Sequence, residues 1–213
     1  RILPPNFSTI YKIQSIDGYD PLYLLSYARL VSAFENKDAA SIISFNRIIT
    51  PHNVYANMID LLNVKYVLSF EELKPPKFTK VFEEGQTKVY KNNNASKRVF
   101  FVDELIVRKS GDDQLRSMLI SDLGKVGVVE EDYKANNKLS VGEAKIVFYK
   151  ENNILIETKN NGDGFLILSD NYYPTWKAKI DGKKADIYKA DYTLRGIFVP
   201  AGNHKILFYN SIL

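Results

Sequence analysis

Apolar positions recur at two different periods along this chain, and the change of period divides it. In the first third, Leu24, Ala28, Val31 and Phe34 return every three or four residues, which predicts an amphipathic helix running to about Asn36. Asp20 followed by Pro21 supplies a start signal for it, with a carboxylate at the N-cap and proline at the first helical position. Val54, Met58, Leu61 and Leu62 predict a second helix after Pro51-His52-Asn53, and 64–68 reads as a short apolar strand. Before the first helix, Tyr11, Ile13 and Ser15 alternate with Lys12 and Gln14 as a strand would. A hairpin is expected over 78–91, turning at Glu84-Gly85, with Pro75-Pro76 as a spacer before it and Asn92-Asn93-Asn94 as a polar loop after it.

Strand-like apolar runs at 99–102 and 105–107 come next. Ser110 with Asp113 has capping-box spacing and opens a short helix near 111–121 carrying Leu115, Met118 and Leu119. From about 126 the helical period is lost. Strands are predicted at 126–130, 144–149, 154–158, 165–168, 176–180, 185–188, 194–199 and 205–209. Most are separated by turn residues: Glu151-Asn152-Asn153, 160–164, Asp181-Gly182 and 200–203. Asp181-Gly182 is the strongest turn signal, because a two-residue type I′ hairpin needs positive φ at both positions. The expected fold class is α+β. A small N-terminal α/β domain over 1–92 precedes an antiparallel, jelly-roll-like β-sandwich over 93–213.

Composition narrows the chemistry. The chain has 213 residues, enough to bury a real core, and no apolar run long enough to span a membrane as a helix. It opens at Arg1 with no signal peptide, and so reads as a piece of a longer protein. Without cysteine there is no disulfide, thiolate nucleophile or Cys-based zinc site. The net charge of +4 comes from scattered lysines, which argues against nucleic acid as a partner. Any nucleophilic triad would need His52 or His204, and neither lies near a nucleophile elbow. Phosphate-binding glycine loops are missing, and Asn161-Gly162-Asp163-Gly164 lacks the remaining ligands of a calcium loop. No cofactor, metal or catalytic residue is assigned.

One stretch remains as a candidate for binding. Asp170-Asn171-Tyr172-Tyr173-Pro174-Thr175-Trp176 packs carboxylate, amide and three rings into a corner between two strands. Tyr172, Tyr173 and Trp176 suit a sugar-stacking platform, with Asp170 and Asn171 bonding hydroxyl groups and Arg195 pairing with a corner carboxylate. The same residues suit a structural corner in which Trp176 fills the core and the tyrosines pin the turn. Carboxylate pairs for glycoside hydrolysis cannot be read from spacing, since they meet only in three dimensions.

The run 168–183 and the following Ile187-to-His204 stretch closely resemble the C-terminal region of YfhO-type bacterial membrane proteins. Pro5-Asn6, 15–22 and 61–67 look like the same family's preceding segment. Thr175 departs from the pattern, which usually has Gly there. The resemblance implies a polytopic protein similar to GT-C glycosyltransferases that use polyprenyl-phosphate sugars. The full-length protein would then be such an enzyme, acting in cell-envelope glycan or teichoic-acid glycosylation. This chain would be its non-catalytic extracytoplasmic domain, at the outer face of the bacterial membrane. Implied partners are the protein's own transmembrane region and an envelope glycan or lipid-linked sugar. A carbohydrate-binding module or a structural protein-interaction sandwich are the alternatives.

Overall fold

The computed structural model describes the chain except residues 1, 3, 5, 42, 44–46, 132–137 and 212–213. Pro5, one of the N-terminal motif residues, lies outside that description. The chain forms two compact units, Arg1–Lys97 and Arg98–Leu213.

In the first unit the elements are α1 (Phe7–Ile10), β1 (Gly18–Tyr19), α2 (Leu25–Asn36), β2 (Ile48–Ile49), α3 (Asn57–Leu61), β3 (Tyr66–Ser69), β4 (Phe78–Glu84) and β5 (Thr87–Asn92). The strand expected over 11–15 does not form; a single helical turn precedes it, and Tyr11 and Ile13 are exposed. Helix α2 begins later than expected, at Leu25, because the Asp20 carboxylate accepts the Leu22 N–H 2.7 Å away in a local turn. Helix α3 is also shorter and later than predicted. The Glu35 carboxylate accepts the N–H groups of both His52 and Asn53 at 2.8 Å, so this segment satisfies its amides without helical bonds. Ala28, Leu30, Val31, Ala33 and Phe34 of α2 are buried, as are Met58, Ile59 and Leu61 of α3. The 78–91 hairpin forms as expected, with Gly85 at φ 57°, and β5 lies between β3 and β4 in an antiparallel sheet.

The second unit continues with β6 (Val99–Val102), β7 (Glu104–Val107), α4 (Gly111–Ile120), β8 (Val126–Val129), β9 (Glu143–Lys150), β10 (Asn153–Asn160), β11 (Gly164–Asn171), β12 (Trp176–Ile180), β13 (Lys183–Ala185), β14 (Tyr188–Ala190), β15 (Leu194–Val199) and β16 (Gly202–Asn210). Two sheets face each other, a five-stranded β13-β12-β16-β10-β9 and a six-stranded β6-β11-β15-β14-β8-β7. Between them Ile154, Ile156, Ala178, Ile206 and Phe208 from the first meet Val99, Phe101, Leu166, Leu168, Ile197 and Val199 from the second. The architecture is therefore sandwich-like, as the turn spacing implied.

Three features differ from the expectation. The pair β7·β8 is parallel, with Glu104 opposite Val126 and Val107 opposite Val129. Parallel neighbours need a crossover, and α4 supplies it. Ser110 is the N-cap residue of α4, but its side chain makes no capping bond, and Asp113 instead pairs with Arg116 at 2.9 Å. The single strand predicted at 185–188 is two strands, because Ala185 pairs with Ala178 in one sheet and Tyr188 with Gly196 in the other.

The six-stranded sheet has β6 and β7 as its opposite edges, and the single residue Asp103 joins them. The sheet must therefore curl until its edges approach. Inside the curl Val102, Leu105 and Ile167 converge on Gly127. This gives β11 two buried faces and explains its unbroken apolar run 165–168, which is fully buried. The interior is tight at Gly196, where an added Cβ would lie 2.2 Å from Phe165 Cζ and 3.1 Å from Ala190 Cβ. Phe165 is held between Phe198 (4.8 Å between ring centroids) and Tyr188 (6.1 Å) and has nowhere to go. Gly196→Ala is accordingly expected to destabilise the unit by about 1–3 kcal/mol, read as a lower urea midpoint.

The Asp181-Gly182 turn has φ of 48° and 82°, the positive pair of a type I′ hairpin. Asp181 also accepts the Lys205 N–H at 2.9 Å and holds His204 Nδ1 at 2.6 Å. That hydrogen bond raises the imidazole pKa. The more N-terminal of the two histidines, His52, is exposed.

Candidate functional site

The corner is built by an irregularity in β11. Leu168 lies opposite Arg195, but the next matched pair is Asn171 with Leu194, so Ser169 and Asp170 are extra residues on the bulged strand. A bulge re-aims side chains, and here it accompanies a carboxylate that is turned inward. Asp170 is 8% exposed and takes donors from two directions. Arg98 donates to Oδ1 from Nε at 2.9 Å and Nη2 at 2.5 Å, while the Tyr149 hydroxyl donates to Oδ2 at 3.0 Å. Arg98 Nη2 also donates to the Tyr149 hydroxyl at 2.9 Å, and its guanidinium sits 4.9 Å from that ring's centroid. Burial, reinforced by the neighbouring carboxylate, raises the Tyr149 pKa.

Arg195 enters from the other side. It is 5% exposed; Nε donates to the Asn171 carbonyl at 2.9 Å, and Nη1 lies 3.8 Å from Asp170 Oδ2. Its guanidinium carbon is 3.7 Å from the centre of the Trp176 ring. Nη1 is buried without a hydrogen-bond partner among the described residues. Burial lowers the Arg195 pKa to about 10, and the Asp170 carboxylate opposes that fall. Arg195 still carries its proton near neutral pH. Two guanidinium groups thus share one carboxylate in a largely dehydrated corner.

The remaining corner residues go to different places. Trp176 is half-buried against the sandwich core, and the face beneath Arg195 is occupied. The carbonyl of Tyr173 accepts the Trp176 N–H at 3.0 Å, closing a turn with Pro174 and Thr175 at its centre. Thr175 keeps negative φ in this turn, so the side chain that stands where Gly is usual fits without strain. The Tyr173 ring is 49% exposed. Asn171 accepts from the Thr193 hydroxyl at 3.4 Å, and the Tyr172 N–H donates to the Thr193 carbonyl at 2.6 Å. Tyr172 lines a neighbouring cleft of about 170 Å³, together with Glu130, Glu131, Ile187, Tyr188 and Lys189. Lys189 Nζ lies 3.5 Å from Glu130.

The structure therefore brings Asp170, Asn171, Trp176 and Arg195 together as one locked joint and places Tyr172 in an adjoining cleft. Arg98 and Tyr149, which complete the joint, were not legible as site residues. Each lies more than twenty residues from Asp170 in sequence; pairing of β6 with β11 brings Arg98 near, and packing of the facing sheet brings Tyr149. The cleft residues Glu130, Tyr188 and Lys189 were missed for the same reason.

Residues 122–210 match the family model described as bacterial membrane protein YfhO. This part of the chain is YfhO-like. The matched span holds Asp170, Arg195 and the whole aromatic corner, together with the cleft, whereas Arg98 and the N-terminal motifs at 15–22 and 61–67 fall outside it. No curated protein matches the chain, and no solved structure does. Among the described residues no helix is long and apolar enough to cross a membrane, and no group of acidic or histidine side chains is arranged to hold a metal.

Proposed function

We propose that this chain is a non-catalytic, extracytoplasmic part of a polytopic, glycosyltransferase-like membrane protein of cell-envelope glycan or teichoic-acid glycosylation, with the spanning segments elsewhere in the longer protein. The observation that carries this reading is the match of the YfhO-like region to a bacterial membrane protein family. The corner's chemistry supports the non-catalytic half of it. Asp170 accepts from Arg98 and Tyr149 and sits against Arg195. A carboxylate whose oxygens are taken up by donors of the chain itself is poorly placed to accept a proton from a substrate. The domain would serve by packing on its own transmembrane region or by positioning a glycan acceptor.

This chain contains no cysteine, so its orientation is testable in a full-length protein in which any cysteines outside it have been replaced. In cells producing the full-length protein with Tyr173→Cys, a membrane-impermeant maleimide is expected to label the exposed position without permeabilisation. Labelling only after permeabilisation would place the domain on the inner side and overturn the proposal. Sugar transfer from a polyprenyl-phosphate donor by the isolated chain would overturn the non-catalytic assignment.

The cleft favours one second reading, a carbohydrate site. Tyr172 and Tyr188 offer ring surface and hydroxyls, while Glu130, Glu131 and Lys189 offer hydrogen bonds to sugar hydroxyls. In an NMR titration with envelope glycans, the resonances of Tyr172 and Tyr188 should then move. Unmoved resonances would remove this reading.

A further inference from the structure

The three-stranded sheet of the first unit, β3-β5-β4, has an apolar face that is left open among the described residues. Its register places Leu68, Val89 and Phe82 in one row across the three strands. In the next row Tyr66 and Thr79 flank Lys91. Side chains opposite one another share a face, and alternate residues along a strand share it too. Tyr66, Leu68, Val89 and Phe82 therefore stand together, opposite to the side of Phe78 and Tyr90, which are buried. Tyr66 is 57%, Leu68 41% and Phe82 53% exposed.

A break in β4 creates this face. The register shifts between Lys80 and Phe82, with Val81 as the extra residue. The shift puts Lys80 opposite Tyr90 and Phe82 opposite Val89. Without it, Lys80 and Phe82 would share one side by simple alternation. The charges follow the bulge to the covered side: Lys80 pairs with Glu83 at 2.6 Å and Glu72 at 3.3 Å, and the Tyr90 hydroxyl donates to Glu72 at 2.5 Å. On the open face charge is confined to its two ends, Lys91 at one and Glu84, opposite Thr87, at the other.

We propose that this face seats on a lipid bilayer, with Tyr66, Leu68 and Phe82 entering the boundary between headgroups and acyl chains. Tyrosine and phenylalanine beside aliphatic side chains, with a lysine at the margin, are the composition of protein surfaces at that boundary. The same chain carries the YfhO-like region, whose family is one of bacterial membrane proteins, so a membrane is the surface this face would meet. The inference rests on the membrane context proposed above but not on the side of the membrane, which the cysteine-labelling experiment decides separately.

The test uses the 213-residue chain with vesicles of phosphatidylcholine and phosphatidylglycerol. An environment-sensitive fluorophore on Leu68→Cys should shift to the blue on adding vesicles and be quenched by spin-labelled acyl chains. The same fluorophore on Val147→Cys, an exposed position of the second unit, should do neither. In vesicle flotation, Leu68→Ser with Phe82→Ser should lower the partition coefficient by about tenfold or more, the loss expected for withdrawing two large apolar side chains from lipid. Circular dichroism of the double variant checks that it folds. Equal emission at the two labelled positions with vesicles overturns the proposal. So does unchanged partitioning of a folded double variant. A blue shift that depends on protein concentration without lipid would instead assign the face to a second copy of the chain, and would equally overturn it.

Discussion

Asp170→Ala is expected to destabilise the unit Arg98–Leu213 by about 3–5 kcal/mol, because it leaves a buried cation without its counter-charge. Arg195 is almost fully buried and, among the described residues, has Asp170 alone as an acidic partner within reach and no hydrogen-bond partner for its Nη1. Removing the carboxylate would leave two guanidinium groups facing a vacated acceptor position. The Tyr149 hydroxyl would lose its acceptor as well. Urea denaturation followed through Trp176, the one tryptophan of the chain, reads the corner directly. Arg98→Ala should cost less than Asp170→Ala, since the Arg98 side chain is 26% exposed and water can replace part of what it supplies. Equal stability of Asp170→Ala and the parent would show that the joint is not a stabilising element.

The pH dependence of stability should be dominated by a different carboxyl group, Asp191. It sits in the turn from β14 to β15 with φ 45° and no exposed surface. Its N–H donates to the Val128 carbonyl at 2.7 Å and its Oδ1 accepts the Val128 N–H at 2.8 Å, so it laces the turn to β8. Oδ2 is buried without a partner among the described residues. Burial raises the pKa from 3.8 to about 7, against the smaller opposing effect of the Val128 N–H. The folded state therefore holds a proton that the unfolded chain releases near pH 4. Between those values the folded protein binds more protons, so stability falls as pH rises from about 4 to about 7, by roughly 4 kcal/mol in all. Asp191→Asn keeps an acceptor for Val128, tolerates the positive φ and cannot ionise. It should flatten this part of the profile and leave the variant more stable than the parent at pH 8. A parent profile with no such fall, or one that the substitution leaves unchanged, would refute the assignment.

These two carboxylates show where reading the chain stopped being sufficient. The motif around Asp170 was visible as a corner, and Arg195 was visible as a candidate partner for its carboxylate. What the corner does with its rings was not. Trp176 receives a guanidinium on one face, Tyr172 lines a cleft and Tyr173 stays at the surface, although the three residues fall within five positions of one another. The deciding residues, Arg98 and Tyr149, reach Asp170 by different routes. Arg98 precedes β6, which pairs with β11, and Tyr149 comes from the facing sheet. Asp191 carried no local signal at all, since its environment is made by β8, sixty-three positions away.

Local chemistry determined the elements whose causes are local. The Asp181-Gly182 hairpin, the Glu84-Gly85 turn, most strands beyond residue 126 and the YfhO-like signature all follow from turn residues, β-branched runs and residue order, which act within a few positions. Tertiary structure decided everything that depends on which strands meet. The parallel β7·β8 pair, the curl of a sheet whose edges are joined at Asp103, and the division of 183–190 between two sheets are outcomes of pairing. So is the bulge that turns Phe82 outward. A bulge is set by the partner strand as much as by its own residues, and one extra residue exchanges the two faces of everything beyond it. Alternation along a single strand cannot reveal that exchange, and the corner's composition was legible in the chain while the partners of its side chains, set by strands far away in sequence, were not.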